Sequence, residues 1–595
     1  MEKDFGSSLF PSPTHILNTT GSFKVPTTFN SFFNDIIFEK LLPASNLEMN
    51  SSPREKANLT LTRSQLEHHD GYKLICEDSG ITIHASNACG ASYALNTLSQ
   101  IIDHFGMLIP CFEIKDQPIL KRRGFMLDVS RCKIPKMEAL FELIDLLAQL
   151  RYNELQLYIE HTFAFKEHST VWQNFTPFSA EEIRRIDKYC QDRFIELVPN
   201  LNSFGHFERW LRHEPYMKYA ECPNGFQRNE PFMVRDHGSV LKPNQQSLDF
   251  IDSLYAEYLP NFSSPKFNVG LDEPWELGQG WSKSIVQERG KHIVYLEYLE
   301  EILKLVEKRG KSMEFWADVL LEKPANAARL PRNASPVIWG YEINHPFEEQ
   351  AKAIGSCGLK FSLAPGTATW RSFSGRWKTA RKNIFSACKS AKEYGAEGIL
   401  LTNWGDCGNH QPWATMYPSL FHASQCSWNG QAQTDDLIAT AMDNRLFSSS
   451  AKGLGKAIID LARLDENMGF SLPNNSLAWF ALFTAQPEKL SEHLLEEVST
   501  DQLKNGMEWL NQLDSFTIQP FGSDSTKWAQ QEWDLGIQLS KIGLERAMTK
   551  LKGKFETSQL SREYELIESF ERIWQLRARK GGLHESIDLL KKTIL

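Results

Sequence analysis

Between residues 118 and 430, short apolar runs alternate with longer segments whose apolar residues recur every three or four positions. Eight runs read as strands: Gly124–Ser130, Glu154–His161, Ile195–Asn202, Lys266–Glu273, Met313–Leu320, Pro336–Glu342, Leu359–Gly366 and Gly398–Gly405. Between the first two, Met137, Leu140, Phe141, Ile144, Leu147 and Ala148 form the stripe of an amphipathic helix. Ser179 and Glu182 have the spacing of a capping box opening another, and Gly395 is a helix stop after residues 376–394. Strands apolar on both faces and separated by helices belong to a parallel sheet covered on both sides. Eight of them predict a closed α/β barrel of the (β/α)8 TIM type in preference to an open doubly wound sheet.

The flanks follow other periods. Residues 1–117 carry short strands and turns, including a hairpin over Asp70–Asn87 and helical spacing through Tyr93, Leu95, Leu98, Ile101 and Ile102, which predicts a small N-terminal α+β domain. After 430 the strand pattern fades, and residues 431–595 predict an α-helical C-terminal domain.

Composition narrows the function. The 595 residues carry a net charge of −9 and no lysine- and arginine-rich stripe, which argues against nucleic acid as a partner. No run of about 18 apolar residues offers a membrane span. The ten cysteines are scattered, without the spacing of a metal site, and read as reduced thiols of a cytoplasmic protein. The first residues lack a basic segment followed by an apolar one, so no signal peptide is expected. Nothing in the pattern calls for a metal or cofactor.

In such a barrel the chemistry sits where strands end. In order, the strand ends offer Asp128 and Arg131; Glu160 and His161; Asn202, Gly205 and His206; Asp272 and Glu273; Trp316 and Asp318; Trp339, Tyr341 and Glu342; Trp370; and Asn403, Trp404 and Asp406. Aromatic faces suit sugar rings and carboxylates accept from hydroxyls, so this rim predicts carbohydrate chemistry. The adjacent acids Asp272 and Glu273 do not readily straddle an anomeric carbon, as the usual pair of glycosidase carboxylates does. They can address one side of it if the substrate supplies its own nucleophile. A two-carboxylate glycosidase using Asp318 or Glu342 as nucleophile, and a sugar-binding barrel without activity, are the competing readings.

Over residues 55–430 the chain resembles glycoside hydrolase family 20, the β-N-acetylhexosaminidases. The resemblance rests on RRGFMLDVSR (122–131), NELQLYIEH (153–161), VPNLNSFGH (198–206), FNVGLDE (267–273) and NWGD (403–406). It implies an exo-acting hydrolase that removes terminal β-linked N-acetylhexosamine from a small or oligosaccharide substrate, with retention, through an oxazolinium intermediate. By the same resemblance Glu273 is the general acid, Asp272 holds the acetamido N–H, and His206 sits beside the acid. Arg131 and Asp406 grip hydroxyls; Trp316, Trp339 and Trp404 wall the pocket, with His161 and Trp370 as further substrate contacts. The chain departs from the family at Asn268, His161 and Asn202. It also lacks the Tyr and Asp common after strand seven, leaving that grip to Trp370 or to a partner chain in a homodimer. The departures, with the helical C-terminal domain, imply an intracellular branch.

Overall fold

The computed structural model describes residues 5, 9–41, 47–229, 232–447, 453–483, 497–515, 524–552 and 560–594. Seven strands, β1 (His15–Lys24), β2 (Phe29–Phe33), β3 (Met49–Ser51), β4 (Leu59–Arg63), β5 (Tyr72–Glu77), β6 (Gly80–Ala85) and β7 (Leu108–Asp116), form one sheet in the order β1-β7-β5-β6-β4-β2-β3. The β5–β6 pair is the expected hairpin, with Glu77 opposite Gly80. The helix Ala88–Phe105 starts at Asn87, whose side chain accepts from the Gly90 N–H (2.8 Å). Its buried face, including Tyr93, Leu98 and Ile101, packs on the sheet.

The barrel strands are β8 (Arg122–Asp128), β9 (Glu154–Ile159), β10 (Glu196–Leu201), β13 (Lys266–Asn268), β14 (Ser312–Trp316), β15 (Ala334–Trp339), β16 (Ser362–Ala364) and β17 (Gly398–Asn403). A hairpin, β11 (Phe226–Asn229) and β12 (Phe232–Arg235), is inserted after β10; the hydrophobic pattern did not reveal it. The eight strands close in the order β10-β13-β14-β15-β16-β17-β8-β9, all parallel. Every residue of β8, β9 and β17 is buried, the polar Arg122, Arg123, Glu154 and Gln156 included, so none of these strands has a solvent-facing side. Ser179 and Glu182 do form the capping box.

Several runs are shorter as strands than their pattern suggests, Leu359–Gly366 among them, which pairs only over Ser362–Ala364; two of these bear on the site. Lys266–Glu273 leaves the ladder at Asn268, and Gly270, Leu271 and Glu273 take left-handed φ values. Met313–Leu320 turns at Trp316 into a helix at Asp318. In both, the apolar pattern continues because the backbone stays buried after the hydrogen bonding changes.

The N-terminal sheet docks on the barrel through polar contacts. Arg151 binds Asp116 (2.6 Å) and Thr97 (2.7 Å), and Trp428 Nε1 donates to Asp116 (2.9 Å). Of the downstream helices, Asp524–Lys552 packs on the turn Trp413–Met416 after β17, and Leu560–Arg577 and Leu583–Ile594 meet segments after β8, β10 and β17; Asp435–Arg445 and Thr500–Asp514 pack on neighbouring helices. Backbone hydrogen bonds join Trp377 to Ala462, Lys136 to Arg577 and Ser476 to Arg371. None of the helices among the described residues is long and apolar enough to cross a membrane.

Candidate active site

Asp272 and Glu273 lie in the irregular segment that follows β13. Glu273 is held at φ +49°, and its N–H donates to Asp318 Oδ2 (2.9 Å). A non-glycine residue in that region is strained and needs such fixing. His206 is also left-handed (φ +59°), and its Nε2 lies 3.1 Å from Asp272 Oδ2 and 3.5 Å from Glu273 Oε2. Gly205 explains the Gly-His motif. A Cβ there would sit 2.4 Å from the Asp272 carbonyl oxygen, so only glycine lets the two segments meet.

The charges are arranged around one proton. Burial pushes Glu273 up to about 7, with Asp272 and Asp406 acting in the same sense against the pull of His206 and Arg131. Burial alone would lower His206, but Asp272 lifts it to about 10, so the ring is cationic at neutral pH. Burial, then Asp272, raises Asp318 to about 8. Asp272 Oδ1 is buried and has no hydrogen-bond partner among the described residues, an acceptor kept unspent at a costly location.

Two groups, Glu160–His206–Glu208 and His206–Asp272–Glu273, bring potential ligand atoms within 4.8 Å of one another. Both depend on His206, whose imidazolium form has no lone pair to give a metal.

The opposite wall is aromatic. Tyr158, Trp316, Trp339, Tyr341, Trp370 and Trp404 form one cluster. Trp404 crosses Tyr158 edge-on at 4.7 Å and donates through Nε1 to the Tyr341 oxygen (2.8 Å). Trp339 stacks on Tyr341 at 5.3 Å. The indole nitrogens of Trp316 and Trp339 are buried donors lacking a partner among the described residues. Arg131 lies over Tyr158 (4.7 Å) and Trp404 (5.1 Å) and pairs with Asp128 (3.0 Å) and Glu160 (3.1 Å). Asp406 stands at the rim, its carboxyl raised by burial against the attraction of Arg131.

Of the residues singled out from the sequence, Asp272, Glu273, His206, Arg131, Trp316, Trp339, Trp404 and Asp406 fall around this pocket. His161 does not belong with them. It is fully buried, edge-on to Phe175 at 4.4 Å, with both ring nitrogens unpaired among the described residues and its basicity lowered by burial. Its neighbour Glu160 faces the site instead, where it pairs with Arg131 (3.1 Å). Trp370 is 1% exposed and backs Tyr341 (5.0 Å, edge-on), so its predicted substrate contact passes to Tyr341. Gly366 marks that exchange, since a Cβ there would strike Trp370 (2.5 Å) and Tyr341 (2.9 Å).

Residues 121–397 match the model described as glycosyl hydrolase family 20, catalytic domain, and residues 6–117 match glycosyl hydrolase family 20, domain 2. The chain belongs to glycosyl hydrolase family 20. Among family relatives, the beta-hexosaminidase of Porphyromonas gingivalis is 24% identical over 489 residues, 73% of this chain and 62% of its own length. Beta-hexosaminidase subunit A1 of Dictyostelium discoideum is 28% identical over 221 residues, 35% of this chain and 40% of its own. The chain thus spans under two thirds of these relatives' length. Its fold is that of the Flavobacterium johnsoniae chitobiase (TM-score 0.60, 17% identity, 99% of each chain). It is also that of an exo β-N-acetylglucosaminidase from Vibrio harveyi (TM-score 0.60, 18% identity, 77% of each).

The sequence passed over three site residues of this family-20 chain as partners. Tyr341 and Asp318 are visible at strand ends, but their contacts to Trp404 and to the Glu273 N–H arise from loop paths. Tyr158 sits inside β9, where it reads as core. Its O–H donates to Glu160 (2.9 Å) while it accepts from Asn202 Nδ2 (2.7 Å), which gives the Asn202 departure a structural role.

Proposed function

We propose that the protein is an exo-acting β-N-acetylhexosaminidase that hydrolyses terminal β-linked N-acetylhexosamine with retention, using the substrate's acetamide as nucleophile. The observation that carries this reading is the unspent Oδ1 of Asp272 beside the raised carboxyl of Glu273. A sugar placed against the aromatic wall brings its C2 acetamido N–H to Asp272 and its glycosidic oxygen to Glu273. Held there, the acetamide oxygen attacks C1 as Glu273 gives its proton to the leaving oxygen, and an oxazolinium forms. A well-oriented internal nucleophile is worth an effective concentration on the order of 10⁵–10⁸ M. Asp272, its Oδ2 3.1 Å from His206 Nε2, then faces the positive ring in a buried setting where electrostatic attraction is strong. Glu273, now a carboxylate, takes a proton from the water that opens the oxazolinium.

The two-carboxylate alternative fits less well. Asp318 accepts from the backbone of Glu273 itself, so it lies on the acid's side, whereas a carboxylate nucleophile stands roughly 5–5.5 Å across the sugar from the acid. Glu342 is tied to Arg376 (3.0 Å).

An aryl N-acetyl-β-glucosaminide should be turned over orders of magnitude faster than the aryl β-glucoside lacking the acetamide, and a thiazoline analogue of the intermediate should inhibit. Equal turnover of the two glycosides would overturn the mechanism.

A further inference from the structure

The acids and the aromatic wall are supplied by the barrel, but the pocket's far side is not made by the barrel alone. Strand β17 stands four places from β13 in either direction around the closed sheet, so it is diametrically opposite Asp272 and Glu273. A pyranose whose C1 and C2 substituents are held at β13 therefore points its C4 and C6 hydroxyls toward β16 and β17. The loops after β15 and β16 carry Glu342, Trp370 and Arg371. Onto them the helical unit lays the segment 470–476, between the helices Leu464–Met468 and Leu477–Phe483.

Asn474 is the point of contact. Its Oδ1 accepts from Trp370 Nε1 (2.6 Å), its backbone N–H donates to Glu342 Oε1 (2.6 Å), and the Ser476 N–H donates to the Arg371 carbonyl (3.0 Å). It is half-buried and left-handed, at φ +55°. An indole nitrogen only donates, so the amide oxygen must face Trp370 and the NH₂ group must lie on the other branch. That NH₂ has no partner among the described residues. Glu342 spends Oε1 on Asn474 and Arg376, leaving Oε2 as an acceptor next door. A donor and an acceptor side by side match a hydroxyl, which gives one hydrogen bond and takes another.

We infer that Asn474, supplied by the helical unit and paired with Glu342, is a hydroxyl-binding residue for the C4 or C6 edge of the terminal sugar. The inference rests on the function proposed above and names part of its specificity. It also assigns within one chain the grip that the missing residues after β16 would otherwise have provided.

The test uses the full-length protein, an aryl N-acetyl-β-glucosaminide, and its 4-deoxy and 6-deoxy analogues. Asn474→Asp keeps an acceptor for Trp370 and removes the donor. Asn474→Gly keeps the left-handed backbone and its N–H to Glu342 and removes the side chain. Wild type should lose about tenfold in kcat/KM on one of the deoxy analogues. Both variants should lose about tenfold on the parent and nothing further on that analogue, with melting temperatures near wild type. Should Asn474→Asp fold poorly, Asn474→Gly decides. Variants that keep the wild-type rate on the parent, or pay the same additional penalty on both analogues as wild type, would overturn the inference. A wild type inert on every N-acetylhexosaminide would instead overturn the function on which it rests.

Discussion

The two ends of the barrel bury the same kinds of residue and treat them in opposite ways. At the N-terminal end, Glu154 gives one oxygen to Arg122 and Gln156 and the other to Lys266 (2.6 Å), and Arg122 also reaches Glu314 (2.8 Å). Burial would raise Glu154, but Arg122 and Lys266 hold it down to about 2. At the mouth, burial wins, and Glu273 rises to about 7. Asp272 keeps an oxygen unpaired, as do the indole nitrogens of Trp316 and Trp339 among the described residues. At the floor Glu154 spends both oxygens on folding contacts, although Arg122 Nε lacks a partner among the described residues and burial raises Glu314; at the mouth Asp272 Oδ1 remains for a ligand. Burial of a carboxylate thus says little by itself; what its oxygens already touch separates a strut from a reagent.

The sharpest break between the ends comes from removing one charge at each. Asp272→Asn should lower kcat on an aryl N-acetylglucosaminide by roughly 10²–10³-fold and leave the melting temperature nearly unchanged. Oδ1 does nothing for the fold, and only the 3.1 Å contact of Oδ2 with His206 loses its charge. A thermal melt and a saturation curve on the same preparation check both halves. Glu154→Gln should do the reverse. Leaving Arg122 and Lys266 short of a buried partner should cost about 3–5 kcal/mol of stability, read by denaturant unfolding, while kcat of the folded enzyme stays within a few fold. A smaller effect separates the ends by pH. In its proposed role Glu273 must carry its proton, so kcat/KM should fall through a pKa near 7 and be about tenfold lower one unit above it. Glu154 is depressed, so its stabilisation is present above the unfolded carboxylate pKa, near 4.3, and is lost only as pH falls toward about 2. An activity profile flat from pH 6 to 9 would erase the distinction.

Much of this could be read from the chain. Strands buried on both faces are rich in apolar residues and alternate with amphipathic helices, so the barrel and the positions of Asp272, Glu273 and Trp404 followed from pattern. The choice between Glu160 and His161 did not. It turns on which side of β9 each side chain leaves, and the strand ends at Ile159, one residue before the pair. Tyr341 was visible but its work was not, because the room it fills was made by Gly366 on the neighbouring strand. Asn474 was beyond reach, since it lies in a different unit and meets Trp370 only through a loop path that no local periodicity encodes.

The helical unit's hold on the mouth also sets an order of events. Glu585 takes both Nη groups of Arg209 (2.6 and 2.7 Å), Arg579 reaches Glu182 (2.7 Å), and the Ser586 carbonyl meets His410 (2.9 Å). These partners follow different strands: Glu182 opens the helix after β9, Arg209 lies in the short helix after β10, and His410 comes after β17. On a ribosome adding about 5–20 residues per second, Arg579, Glu585 and Ser586 emerge tens of seconds after Asp272 and Glu273. The nascent barrel therefore waits with its mouth unfastened, and a chain nicked or stalled ahead of this clasp would carry the chemistry without the frame that aligns it.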